Sequence, residues 1–172
     1  DPTTAILAWT TTPWTLPSNV CLCVNANETY CTAESDGKKY ILAQALVSDV
    51  LGQEAKILST CKGSDLVGLE YKPLFDMSAK FRGKKGYRVI SDDYVTLTEG
   101  TGVVHNAPAF GEDDARVCRE WDLPFIQLVN PSGHMCGGTP FDGLFVKDAD
   151  GEVLKAMKAD GTLFAAPRFT HS

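Results

Sequence analysis

The chain has 172 residues, with 16 Lys and Arg against 22 Asp and Glu for a formal net charge of −6, and is 44% hydrophobic and 22% charged. This composition suits a globular domain that buries a core and excludes a disordered segment, which would be poorer in apolar groups. No apolar run approaches the ~18 residues of a membrane helix, and the acidic balance argues against a free-standing nucleic-acid binder.

Six cysteines, at 21, 23, 31, 61, 118 and 136, form no C-x-x-C pair and are too sparse for a disulfide-stapled mini-domain, so a reduced, intracellular chain is expected. The opening Asp1-Pro2, without Met or a leader pattern, reads as the start of a piece excised from a longer protein.

In chain order, residues 5–9 read as a short buried strand. Residues 10–19 follow, where Pro13 and Pro17 oppose regular helix and central strand. Residues 21–24 and 30–33 are strand-like, and Ser35-Asp36-Gly37 predicts a turn. Leu42, Leu46 and Val50 recur every four residues and stop at Gly52, which predicts an amphipathic helix. Residues 55–60 return to strand, 74–87 read as a long basic loop or hairpin, and 94–107 alternate like strands.

Residues 112–121 carry the clearest helical pattern, with Asp114, Val117, Cys118 and Trp121 on one face. Residues 125–129 read as a strand ending at Asn130-Pro131-Ser132-Gly133. Residues 150–159 read as a helix with Val153, Leu154 and Met157 inward and Gly161 as its stop, and 162–169 as a last strand. Strands outnumber short, scattered helices. The expected fold is a single, mainly β (α+β) domain, barrel-like, with short helices packed outside.

Two stretches carry chemistry. Residues 10–19 hold Thr10, Thr11, Thr12, Thr15, Ser18 and Asn19 between prolines that pre-set the backbone, so polar groups are presented with little entropy left to lose. The same string also suits a polar loop whose hydroxyls cap neighbouring backbone groups. Residues 100–114 run from a strand through a Pro/Gly bend into an acidic helix start. Glu112 and Asp113 fit simple complementarity to the helix N-terminus. Asp114 instead shares an apolar face, and burying a carboxylate without a partner is costly.

His105 lies on a strand face with Val103 and Ala107, where a hydrogen-bonded structural histidine is the plainer reading. His134 and Cys136 are too few for a zinc centre. Phosphate-loop and nucleophile-elbow motifs are absent. Lys80, Arg82, Lys84, Lys85 and Arg88 form a basic run that fits either a solvated loop face or a phosphate contact, with Phe81 and Tyr87 as candidate base-stacking groups or anchors of the loop to the core.

Taken together, Trp9-Thr-Thr-Thr-Pro-Trp-Thr-Leu-Pro-Ser-Asn19 and Gly100-Thr-Gly-Val-Val-His-Asn-Ala-Pro-Ala-Phe-Gly-Glu-Asp-Asp114 closely resemble the editing domain of isoleucyl-tRNA synthetases, the connective insert in a class I catalytic core. The likeness runs along nearly the whole chain to His171-Ser172. The Ala-Pro-Ala-Phe-Gly-Glu-Asp-Asp form and Arg116-Val-Cys118 look most like eukaryotic cytosolic members.

The resemblance implies an aminoacyl-tRNA deacylase that hydrolyses valine mischarged on tRNA(Ile), with valyl-adenylate a further substrate. An apolar pocket gains only ~1–3 kcal/mol from one methylene, and isoleucine against valine in this family is the standing example of that limit. It further implies that Asp114 binds the substrate α-ammonium and that His105 helps exclude isoleucine. Thr10, Thr11 and Thr12, with Trp14 and Asn19, would line the pocket and position ester and water. Trp9, Ala107 and Phe110 would serve packing or the terminal adenosine, and the basic run would be a local RNA contact. The domain would be cytoplasmic and monomeric and hold no metal or cofactor, ATP and Mg being used by the host's synthetic domain. Its partners would be the tRNA 3′ end and the rest of the host.

Overall fold

The Asp36-Gly37 turn sets the first sheet. Both residues take positive φ (52° and 79°), the combination a two-residue hairpin needs, and join β3 (Thr29–Ser35) to β4 (Lys38–Ala43). In this computed structural model, which describes residues 3–164, that hairpin belongs to one of two compact units. The first unit comprises the residues up to Trp9, Cys21–Tyr71 and Tyr87–Asn106. The second comprises Thr10–Val20, Lys72–Gly86 and the chain from Ala107.

The first unit holds the strands. β1 (Thr4–Ile6) runs parallel to β4, and β3 pairs antiparallel with both β4 and β5 (Lys56–Lys62), in the order β1-β4-β3-β5. A second sheet places β2 (Cys21–Val24) between parallel β6 (Arg88–Ser91) and antiparallel β7 (Val104–Asn106). Leu22, Val24, Val89 and Val103 of the second sheet's strands and flanks share a core with Tyr30, Ala43, Leu46 and Leu66.

Tyr30 ties this core. Its hydroxyl donates to the Gly102 carbonyl at 2.6 Å and accepts the Asn25 N–H at 2.9 Å, and burial pushes the phenol up to about 12. Gly102 is required there: its φ is +79°, and a Cβ would stand 2.6 Å from that of Ala43.

The second unit is built on α2 (Glu112–Glu120) and α3 (Val146–Asp160). Ala149, Val153 and Met157, spaced by four, face a core with Leu16, Met135 and Phe141. Gly161, at φ 74°, ends α3 in the left-handed region. No helix among the described residues is long and apolar enough to cross a membrane.

Several expectations need correction. The mixed sheets and few helices fit the expected mainly β (α+β) class, while the strands form two ladders among the described residues, with β5 an exposed edge, and a closed barrel is not seen. Residues 13–18 form a 3-10 turn despite two prolines, because Pro13 occupies the first position, where no N–H is needed, and the bonds that close the turn are donated by Thr15 and Asn19, not by Pro17. Leu42 pairs with Cys31 in the ladder, so helix begins only with the 3-10 turn Gln44–Leu46 and α1 (Val47–Leu51).

Of residues 94–107, only Val104–Asn106 is strand; Gly100 and Gly102 bend the chain before it at positive φ. Residues 125–129 make one isolated bridge, Val129 to Met135, because the Val129 N–H donates to the Gln127 side chain. α3 starts one turn earlier than residue 150, and Leu154 is half-buried. Residues 162–164 are not strand, while 165–169 and His171-Ser172 lie outside the described residues.

Candidate active site

The threonine stretch is rigid for local reasons. Pro13 opens the 3-10 turn Pro13–Ser18, whose bonds run from the Thr15 N–H to the Thr12 carbonyl and from the Asn19 N–H to the Leu16 carbonyl, each 3.0 Å. Upstream, the Thr12 N–H donates to Thr10 Oγ1 at 3.1 Å. The hydroxyls then form a chain: Thr10 and Thr12 lie 3.4 Å apart, Thr12 and Thr15 3.3 Å, and Thr15 donates to the Thr12 carbonyl at 2.8 Å. With the Thr15 proton spent on that carbonyl, Thr12 donates to Thr15 and Thr10 donates to Thr12. Thr11 and Thr12 are exposed, and Thr10, Trp14 and Asn19 are half-buried.

The acidic stretch meets this loop through aromatic rings. Ala107 leaves β7 buried, and the 3-10 turn Pro108–Phe110 sets the Phe110 ring edge-to-face on Trp14, centroids 4.9 Å apart. Gly111 then starts α2. Asp114 folds back over that start, and its Oδ2 accepts the Ala107 N–H at 2.9 Å. A side chain on Gly111 would bring a Cβ to 3.2 Å from the Asp114 carboxyl carbon, so the glycine leaves room for the carboxylate.

Burial raises the Asp114 pKa, the Ala107 hydrogen bond pulls it back, and the neighbouring Asp113 charge adds to the rise. Glu112 and Asp113 are exposed, as expected for simple helix-end acids. Asp114 is the acid turned inward.

His105 sits in the other unit. It lies on β7 opposite Leu22, is 7% exposed, and burial lowers its pKa to about 4, so the imidazole is neutral near pH 7. Trp9, also in the first unit, bridges to Val104 and lies against Gly100.

The basic run does not form one element. Lys80 ends the 3-10 turn Ser78–Lys80, Arg82 is exposed at φ 52°, and Lys84 pairs with Asp122 at 3.0 Å. Lys85 is exposed beside them, whereas Arg88 is a β6 residue of the first unit. Phe81 and Tyr87 are 5% and 9% exposed, so they anchor the loop and present no face for base stacking.

One residue of this site escaped the sequence reading. Asp150 Oδ1 accepts the Trp14 N–H at 2.9 Å across 136 positions, and burial raises its pKa. In sequence it is an ordinary acid early in a helix; only the packing of α3 on the 3-10 turn gives it a partner. Among the described residues, no three His, Cys, Asp or Glu side chains gather to hold a metal ion. An open depression of about 450 Å³ on the second unit is walled by Phe141, Leu144, Glu152 and Lys155 among others, and none of the candidate residues lines it.

No protein-family model matches the chain. Over 168 residues, 97% of its length, it is 49% identical to the isoleucine--tRNA ligase of Clostridium novyi, and over the same span 48% identical to that of Clostridium acetobutylicum. The isoleucine--tRNA ligase of Bdellovibrio bacteriovorus is 43% identical over 178 aligned residues that cover 100% of the chain. The chain spans only 16–17% of the length of these relatives. They are bacterial, and the eukaryotic cytosolic character read from residues 107–118 finds no support in them.

Among solved structures, GlLeuRS-CP1 superposes with a TM-score of 0.79 at 14% identity, covering 98% of this chain and 85% of that one. The P. knowlesi cytosolic leucyl-tRNA synthetase editing domain superposes with a TM-score of 0.69 at 13% identity, covering 91% and 82%. By sequence, then, the chain is homologous to one segment of the isoleucine--tRNA ligases, and its fold is that of an aminoacyl-tRNA synthetase editing domain.

Proposed function

We propose that this chain clears valine mischarged on tRNA(Ile), hydrolysing the aminoacyl ester as the editing domain of an isoleucyl-tRNA synthetase, with valyl-adenylate as a further substrate. The observation that carries this reading is the Trp14–Phe110 contact, which joins the threonine loop to the segment bearing the inward-turned Asp114.

Asp114 receives the α-ammonium of the substrate amino acid. A partly desolvated carboxylate raised in pKa by burial gains most from a cation, and a charge-assisted hydrogen bond contributes about 1.5–3 kcal/mol. Thr10, Thr11 and Thr12 present hydroxyls to the ester and to the attacking water, and Asn19 adds an amide. An ester beside an ammonium is already electrophilic, so a positioned water and donors for the developing oxyanion suffice. No side-chain nucleophile with an adjacent base enters the scheme: water adds to the ester carbonyl, the bond from that carbon to the ribose oxygen breaks, and the neighbouring hydroxyl of the terminal ribose relays the water's proton to the departing oxygen. His105, neutral and buried, stiffens the wall against isoleucine; an extra methylene forced into a filled site costs roughly 1–3 kcal/mol.

Trp9, Ala107 and Phe110 pack the site or meet the terminal adenosine, and Lys80, Arg82, Lys84, Lys85 and Arg88 touch the RNA locally. The rest of the cytoplasmic host supplies most of the tRNA affinity, which reconciles the role with a net charge of −6. The domain acts as a monomer without a cofactor of its own.

The test is Asp114→Ala in the full-length polypeptide that carries this chain. Release of valine from Val-tRNA(Ile) should fall by about 10- to 100-fold, while activation of isoleucine by the host survives. Undiminished valine release in this variant refutes the role given to Asp114, and a parent polypeptide that releases no valine leaves a non-catalytic, RNA-binding insert.

A further inference from the structure

A serine or threonine at the N-cap ordinarily accepts the backbone N–H of the second or third residue of its helical turn. Thr12 holds that position for the turn Pro13–Ser18, yet its side chain makes no capping bond. The Trp14 N–H, the first available because Pro13 has none, is taken by Asp150 of α3 at 2.9 Å. The Thr12 hydroxyl is thereby left in the chain with Thr10 and Thr15.

We infer that Asp150 is a positioning residue of the editing site: by capping the threonine turn from outside, it keeps the Thr12 hydroxyl off the backbone and available to the substrate ester and water. This rests on the deacylase reading above. The surroundings favour a built contact. Asp150 lies on the helix whose Ala149 and Val153 pack with Leu16 of the same turn, so the acceptor is held by the second unit's core. Trp14 is in turn held by Phe110, which places the capped N–H between the two halves of the site. Without the carboxylate, the Trp14 N–H would be open to the ordinary acceptor of an N-cap threonine, the Thr12 Oγ1.

The test uses the full-length polypeptide carrying Asp150→Ala, Asp150→Asn, Thr12→Val and the Asp150→Ala/Thr12→Val pair, with Val-tRNA(Ile) in single-turnover deacylation. Asp150→Ala should lower the rate constant by about 10- to 100-fold and move the half-saturating tRNA concentration less than about twofold. Asp150→Asn, whose amide oxygen still accepts the N–H, should restore the rate to within about threefold of the parent. On Thr12→Val, Asp150→Ala should add little further loss, because both changes remove the same hydroxyl from the site. Losses that multiply, or an Asp150→Asn variant as slow as Asp150→Ala, overturn the inference.

If the parent polypeptide releases no valine, the deacylase reading fails, and hydrogen exchange of the peptide spanning residues 10–19 decides the capping role. Exchange at Trp14 should accelerate by about tenfold or more when Asp150→Ala is added to Thr12→Val. An unchanged rate overturns the inference there too.

Discussion

Lowering the pH should unfold this protein partly through His105. The imidazole is 7% exposed and its pKa lies at about 4, against 6.5 when unperturbed, and burial alone is the cause. A folded-state pKa below the unfolded value means the unfolded chain binds the proton more readily. The contribution to stability is therefore complete above pH 6.5 and is lost as pH falls through the window from 6.5 to about 4. Between pH 7.5 and 4.5 this one group removes roughly 2–3 kcal/mol, taking ~1.36 kcal/mol per pH unit within the window.

Asp114 and Asp150 work against that slope. Their pKa values are raised by burial, so acidification relieves a penalty on their charged forms. The His105 share is isolated by comparing the parent with His105→Gln, which keeps a polar side chain that does not titrate. Urea unfolding at pH 7.5 and 4.5 should show the parent losing roughly 2–3 kcal/mol more than the variant between the two pH values. A difference below about 0.5 kcal/mol refutes a buried neutral imidazole, and with it the stiff wall assigned to His105.

Other outcomes follow from named contacts. Gly102→Ala should destabilise by more than about 2 kcal/mol in urea unfolding, since it adds left-handed strain to a Cβ 2.6 Å from that of Ala43; a midpoint within error of the parent would show that the core yields there. Neutralising Lys80, Arg82, Lys84, Lys85 and Arg88 together should raise the half-saturating tRNA concentration and flatten its salt dependence, each lost phosphate contact lowering the log–log slope by about 0.7. If the slope stays put, the basic run is a solvated loop face.

Local chemistry made part of this protein legible from sequence. The Asp36-Gly37 hairpin, the helix from Glu112 with Asp114 turned toward an apolar face, and the Gly161 stop of α3 each depend on a few adjacent residues whose φ preferences or side-chain period settle the matter. The two stretches on which the candidate site rests could likewise be picked out by composition, because hydroxyls and acids between prolines and glycines are unusual for a segment that only folds.

What lay hidden depends on partners distant in the chain. Leu42 is periodic with Leu46 and Val50, yet pairing with Cys31 draws it into a strand; the Val and Thr of residues 94–103 suit a strand, yet Gly100 and Gly102 turn the chain toward Trp9, Ala43 and Tyr30. Strand propensity is realised only where another strand supplies the ladder, and that supply is tertiary. Asp150 is the sharpest case. Nothing within ten residues marks it as different from its acidic neighbours, and its contact arises when α3 packs on a turn 136 positions away and its carboxylate accepts the Trp14 N–H.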